Sequence, residues 1–422
     1  VIVLDGNTTL TSAGLNSDGV DIAGTVSTVG RSISITGTGG DTGSNNYGVL
    51  LDGSAPGEGV VSTTSGEIVI VGTSNGDGTN NVGCLLDNAG AIQTASGDIS
   101  VTGSGSTLGT NNNSGVELDG STITSSGAGE IQVTGTGGGS GGNNYGIYLQ
   151  SASAISAPNA SGTMITLDGT GSENSTGSLN LGVVISGSSI SSTAAEISLI
   201  GNGKGTGDGN TGLEISASAS VTTTSGNMNL TGNGSLTGGD NANGMLIIDT
   251  ALLTDTGVVT LTGQGAGSAI GSMIYGISFI NSTSTSNGTS GLLNFIGIGG
   301  GGTNTNHGTI FSQTSSISAQ AANINITGTG GGAGSANCGC YIGDESISAQ
   351  TTTISTDTGS ITIVGNGLTG GTSQNHGVQF DGAQVTTASG QVSVTGAGGG
   401  TTNNNNGISL ITATNIASTA ST

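Results

Sequence analysis

Lysine and arginine are almost missing from this chain: Arg31 and Lys204 stand alone against 25 Asp and Glu in 422 residues. A nucleic-acid-binding surface needs a basic stripe, and two cations cannot build one. Docking onto anionic lipid heads fails for the same reason. There is no Trp, only two Pro, and 2% of residues are aromatic. The three cysteines, Cys84, Cys338 and Cys340, are too few for a disulfide framework. No run of apolar residues is long enough for a transmembrane helix. Neither a signal peptide nor an initiator Met is visible, so the sequence reads as a mature form or an excised piece.

What fills the chain is Gly, at 86 residues, with Ser, Thr and Asn. Such a composition alone suggests disorder, because it buries too little to offset conformational entropy. Yet 32% of the residues are hydrophobic, and they are regularly spaced, which a low-complexity linker lacks.

The spacing is a repeat. A segment Asn-x-Gly-h-x-h, with h apolar, recurs with its glycine at 19, 48, 83, 115, 146, 182, 212, 244, 276, 308, 339, 377 and 407. These anchors lie 29 to 38 residues apart, about 32 on average. Apolar residues follow one and three positions later, as in Val49/Leu51, Cys84/Leu86, Val116/Leu118 and Ile147/Leu149. Alternation at period two predicts a strand with one buried face. A second, Ser/Thr-rich strand carries one inward aliphatic (Val26, Ile92, Ile123, Ile155), and a third reads h-x-h-Thr-Gly (Ile33/Ile35, Ile99/Val101, Ile131/Val133). Helix is excluded: Gly, Ser, Thr and Asn are poor helix formers, and no segment shows apolar residues at i, i+3, i+4, i+7.

The predicted fold is all-β: a right-handed parallel β-helix, or β-solenoid, of about 13 coils of ~32 residues, with three strands per coil forming three parallel sheets. It is expected to form one domain over residues 1–422, with 1–18 an irregular N-terminal coil and 19–422 regular coils. A lone coil buries too few aliphatics to fold, so stability is a nearest-neighbour property.

Two columns are polar. Two residues before the anchor stands Asn in ten of thirteen coils: Asn46, Asn81, Asn113, Asn144, Asn180, Asn210, Asn306, Asn337, Asn375 and Asn405. Stacked amides predict a hydrogen-bonded ladder, and Asn also tolerates a left-handed turn. Ser17, Ala242 and Ile274 interrupt the column. The Gly-rich segments between each third strand and the next anchor keep a nearly fixed length of 11 to 13 residues, as GTGGDTGSNNYG and GTGGGSGGNNYG show. Disordered loops drift in length, so these segments are expected to be ordered and to stack.

Candidate chemistry is sparse. Asp52, Asp87 and Asp119 recur at one corner, and Glu67, Asp98 and Glu130 at another. The alternatives there are solvated turns, an inter-coil Ca²⁺ site on Asp52, Asp87 and Asp119, and a paired-carboxylate glycosidase. Just before the anchor, His307, Cys338 and His376 follow one another and include both histidines of the chain, a candidate N/S metal row. The same column holds Tyr47, Val82, Tyr145, Thr211 and Tyr275, so it accepts many residue types. Apart from these metal alternatives, no cofactor is expected.

The repeat G-x-I-x-V-T-G-T-G-G and the opening LDGNTTLTSAG resemble the passenger repeats of bacterial surface adhesins, the filamentous-haemagglutinin-like proteins and β-helical autotransporter passengers. The Asn-Pro-Asn-Leu motif of their secretion domain is absent. The resemblance implies a secreted or cell-surface rod, an adhesin stalk or a filament subunit, and not an enzyme. Expected partners are further copies stacked head to tail and a surface glycan or matrix, with neither nucleic acid nor membrane insertion. The rival is a carbohydrate-active or polysaccharide-binding β-helix, for which a groove containing several carboxylates is the diagnostic feature.

Overall fold

The computed structural model describes residues 1–7, 16–267, 271–344 and 351–419. Of the irregular N-terminal coil expected over 1–18, residues 8–15 lie outside the described residues. Among the described residues, regular structure is entirely strand, and no helix is long and apolar enough to cross a membrane. Contacts cluster into two units, Val1–Asn210 and Thr211–Thr422, and each is a parallel β-solenoid built on the same coil.

In the first unit, the strands after the anchors include Val49–Asp52, Cys84–Asp87, Val116–Asp119 and Ile147–Gln150. They pair in parallel with Val49, Cys84, Val116, Ile147 and Val183 in one line, so the repeat is also the register. The third strands stack likewise, Ile33 on Ile68, Ile99, Ile131 and Ile165. The expected three sheets are two in this unit. Ala154–Thr170 and Ser189–Asn202 run unbroken through the second and third positions and join those two stacks.

The second unit repeats the plan. Leu213, Met245, Ile277, Thr309, Cys340, Val378 and Ile408 form its register line. Its core gains aromatic bulk, with Phe279, Phe295 and Phe311 packed at centroid distances of 5.3 to 6.1 Å. In both units the inward Ile, Val and Leu columns are buried through the middle coils, whereas Ile408 and Leu410 of the last coil are exposed. Cys84 and Cys340 lie in these columns as free thiols, and burial pushes both up to about 12.

Each Gly-rich segment leaves and re-enters the coil at a pinch between two glycines. A Cβ on Gly103 would lie 2.0 Å from the carbonyl oxygen of Gly115, and one on Gly115 would lie 2.2 Å from the nitrogen of Thr136. No side chain fits at this backbone crossing. Beyond the pinch, successive segments hydrogen-bond to one another. Gly78 N–H donates to the Gly43 carbonyl at 2.8 Å, Thr110 N–H to Gly78 at 2.9 Å, and Gly141 N–H to Thr110 at 2.8 Å.

Candidate functional site

The Asn column forms the wall on which the site rests. Each side-chain Oδ1 accepts the backbone N–H of the column residue one coil earlier. In the first unit the chain of bonds runs from Ser17 through Asn46, Asn81, Asn113, Asn144 and Asn180 to Asn210, at 2.7 to 3.3 Å. In the second it runs from Ile274 through Asn306, Asn337 and Asn375 to Asn405, at 2.8 to 3.0 Å. The amide's other end donates into its own Gly-rich segment: Asn46 Nδ2 to Thr42 O at 2.9 Å, Asn144 to Gly141 O at 2.9 Å, Asn180 to Gly177 O at 2.8 Å. Only an amide supplies both an acceptor and a donor in this shape. The left-handed turn falls one residue earlier than the ladder: Asn45, Asn80, Asn112 and Asn143 have φ of 56 to 58°. Where the ladder lapses, Ala242 and Ile274 join Ala266 in a buried apolar cluster.

The left-handed residues Asn80, Asn112 and Asn143 border the same cavity as the outward strand residues Leu85, Glu117 and Tyr148. Outward strand side chains that alternation alone would leave in water are covered: Leu85 is buried, and Glu117 and Tyr148 are half-buried. Between the sheet and the segments lies a cavity of about 430 Å³. Its floor is the outward faces of three neighbouring strands, with Leu85, Glu117 and Tyr148 in one register row. Asp87, Asp119 and Gln150 stand at one rim, and Tyr47, Ser114 and Tyr145 at the other. Asn80, Asn112 and Asn143 line it from the Gly-rich side. Ser114 is the smallest member of its column, between Val82 and Tyr145, and it leaves the space open.

The polar groups of the cavity are tied to one another. Gln150 Nε2 donates to Glu117 Oε1 at 2.9 Å and to Asp119 Oδ2 at 3.2 Å. Tyr145 OH donates to Asn143 Oδ1 at 3.3 Å, and the Tyr145 and Tyr148 rings meet at 4.9 Å with a 58° tilt. Burial, then the charge of Asp119, pushes Glu117 up to about 7, against the bond from Gln150. Burial also raises Asp87; the backbone bond from Asn88 opposes it, and Asp119 and Asp52 add to it. Tyr47 is pushed up to about 12, first by burial and then by Asp18, Glu117 and Asp87. The arrangement offers acceptors, amide donors and ring faces, and no cation lines it.

The sequence-based candidates fall in different places. Asp87 and Asp119 line the cavity, whereas Asp52 holds its own turn by accepting from Ser54 N–H at 3.1 Å. At the second corner, Asp98 Oδ1 accepts the Glu130 N–H at 2.9 Å. In the second unit, His307 Nδ1 accepts the Cys338 N–H at 3.0 Å and His376 Nδ1 accepts the Asn406 N–H at 3.1 Å. The His307 ring lies between Tyr275 and Tyr341 at 5.5 and 5.3 Å. Burial lowers the His376 pKa. Among the described residues no group of three His, Cys, Asp or Glu side chains is placed to hold a metal ion. His307 and His376 are engaged in these backbone bonds and His307 in the ring stack as well, while Asp52 is engaged in its own turn.

Glu117, Tyr148 and Gln150 were missed by sequence reasoning, which treated outward strand positions as solvated. The available signal was a failure of alternation: Leu50, Leu85, Val184, Leu246 and Ile310 are apolar at the outward position. No family model, no curated protein and no solved structure matches the chain.

Proposed function

We propose that the chain is a non-catalytic extracellular scaffold, secreted or held at the cell surface, serving as an adhesin stalk or as a subunit that stacks on further copies. One observation carries this reading: the ladder is the same bond repeated coil after coil, with Asn Oδ1 accepting from the preceding coil in both units. Coils joined by one repeated bond suit indefinite extension, because a heterologous contact that does not close generates a filament. The near-absence of Lys and Arg leaves trypsin-like proteases little to cleave, which fits an extracellular setting, and the repeats resemble surface-adhesin passengers. Sedimentation over a micromolar range, with electron microscopy of the same samples, tests self-association. Concentration-dependent growth into fibres is expected, and a monomer that stays monomeric at every concentration defeats the stacking reading. The carbohydrate-binding alternative is favoured by the cavity of the first unit, where ring faces and carboxylates occur together.

A further inference from the structure

We infer that the cavity over the outer sheet face of the first unit is a binding site for a neutral carbohydrate, an uncharged oligosaccharide gripped between Tyr145, Tyr148 and the Glu117–Gln150–Asp119 cluster. This deepens the carbohydrate alternative and stands independently of the scaffold reading, since sugar titration reads the cavity and sedimentation reads stacking.

The chemistry of the lining selects the ligand. A pyranose has an apolar face of C–H groups and a rim of hydroxyls that both donate and accept. Tyr145 and Tyr148, 4.9 Å apart and tilted by 58°, present ring surface at one side of a cavity of about 430 Å³, large enough for a few sugar units. Beside Tyr148, on the same sheet face, Gln150 joins Glu117 and Asp119 through bonds of 2.9 and 3.2 Å, which fixes the carboxylates as acceptors for hydroxyl donors. A Glu117 that titrates near neutrality, pushed up to about 7 by burial, can also donate.

Rival ligands fit less well. An anionic saccharide meets Asp87, Glu117 and Asp119 with no Lys or Arg in the lining. A peptide adding as a strand finds no edge, because the sheet under the cavity is paired on both sides, Glu117 with Leu85 and with Tyr148. An organic polycation is the remaining competitor, and it differs from a sugar in its salt dependence.

The test is titration of the full chain by calorimetry with cellohexaose, xylohexaose, maltohexaose and chitohexaose, with hexagalacturonate and spermine as charged counterparts. At least one neutral hexasaccharide is expected to bind with an affinity unchanged by added salt. Tyr148→Ala should weaken it by about tenfold or more, and Tyr148→Phe by much less, while both variants keep the wild-type circular-dichroism melt. Should Tyr148→Ala unfold, Gln150→Ala supplies the same comparison from the carboxylate rim. The proposal is overturned if no neutral hexasaccharide binds at millimolar concentration. It is equally overturned if binding survives both Tyr148→Ala and Gln150→Ala, or if spermine or hexagalacturonate binds more tightly than every neutral sugar.

Discussion

Asn144 Oδ1 accepts the backbone N–H of Asn113 at 2.9 Å, while its Nδ2 donates to the carbonyl of Gly141 at 2.9 Å. One side chain thus bonds the coil before it and holds its own Gly-rich turn closed. Asn144→Ala strands both groups in a buried setting and is expected to lower stability by about 1 to 2 kcal/mol. Asn144→Asp keeps the acceptor, loses the donor and adds buried charge, so it should cost at least as much. Urea unfolding of the three proteins checks this, and an alanine variant as stable as wild type would reduce the column to a turn preference.

A second expectation separates two kinds of glycine. Gly103 sits where an added Cβ meets the Gly115 carbonyl oxygen at 2.0 Å, whereas nothing lies within 4 Å of one on Gly24. Gly103→Ala should lose about 2 to 3 kcal/mol through forced backbone displacement. Gly24→Ala should be neutral or slightly stabilising, by less than about 1 kcal/mol. Equal melting temperatures for the two variants would remove the pinch from the account of the fold.

The contrast between these glycines marks how far the sequence can be read. Strand positions were legible because Ile99/Val101 and Val116/Leu118 alternate at period two and the anchors index every coil. The ladder was legible because Asn113 and Asn144 recur at a fixed offset where a mere turn preference would mix in Asp and Gly. The cavity was not, because it depends on where the Gly-rich segments travel after the pinch. Asn112 and Asn143 take left-handed φ of 56 and 58° and line the same cavity as Glu117 and Tyr148. Period-two alternation assigns both of these residues to water. The joining of two strand stacks by Ala154–Thr170 was likewise hidden, since its Pro-Asn-Ala-Ser-Gly stretch reads as a break.

Acidity should stabilise the protein. Glu117 rises from 4.5 to about 7 and Asp18 from 3.8 to about 6 on folding, both chiefly through burial. The folded state therefore binds protons more tightly than the unfolded chain. Their contribution to stability is fully present below the unfolded values and is lost as pH rises through about 6 to 7. The melting temperature is expected to be higher near pH 5 than near pH 8. Glu117→Gln should flatten part of that slope and be more stable than wild type at the higher pH, with the advantage shrinking on acidification. A Glu117→Gln profile parallel to wild type contradicts the assignment.

The last expectation concerns His307, which the sequence offers as a metal ligand and the structure uses as a stacked acceptor. Its ring lies nearly parallel to Tyr275 (7°) and Tyr341 (19°), and its Nδ1 accepts the N–H of Cys338 at 3.0 Å. Both roles require a flat ring, and only one requires a nitrogen. His307→Phe keeps the stack and strands the Cys338 N–H, for a loss of about 1 to 2 kcal/mol. His307→Ala loses the ring as well and leaves a gap at a buried position, for about 2 to 4 kcal/mol. Chelation distinguishes this from a metal role, since a structural ion adds its binding energy to folding. Overnight treatment with EDTA should leave the melting temperature of the wild-type chain unchanged, and the order of stability should be wild type, then His307→Phe, then His307→Ala. A melt that falls with EDTA and recovers with added Zn²⁺ would return the column to metal binding. A His307→Phe variant as unstable as His307→Ala would put the whole effect on the nitrogen and none on the stack.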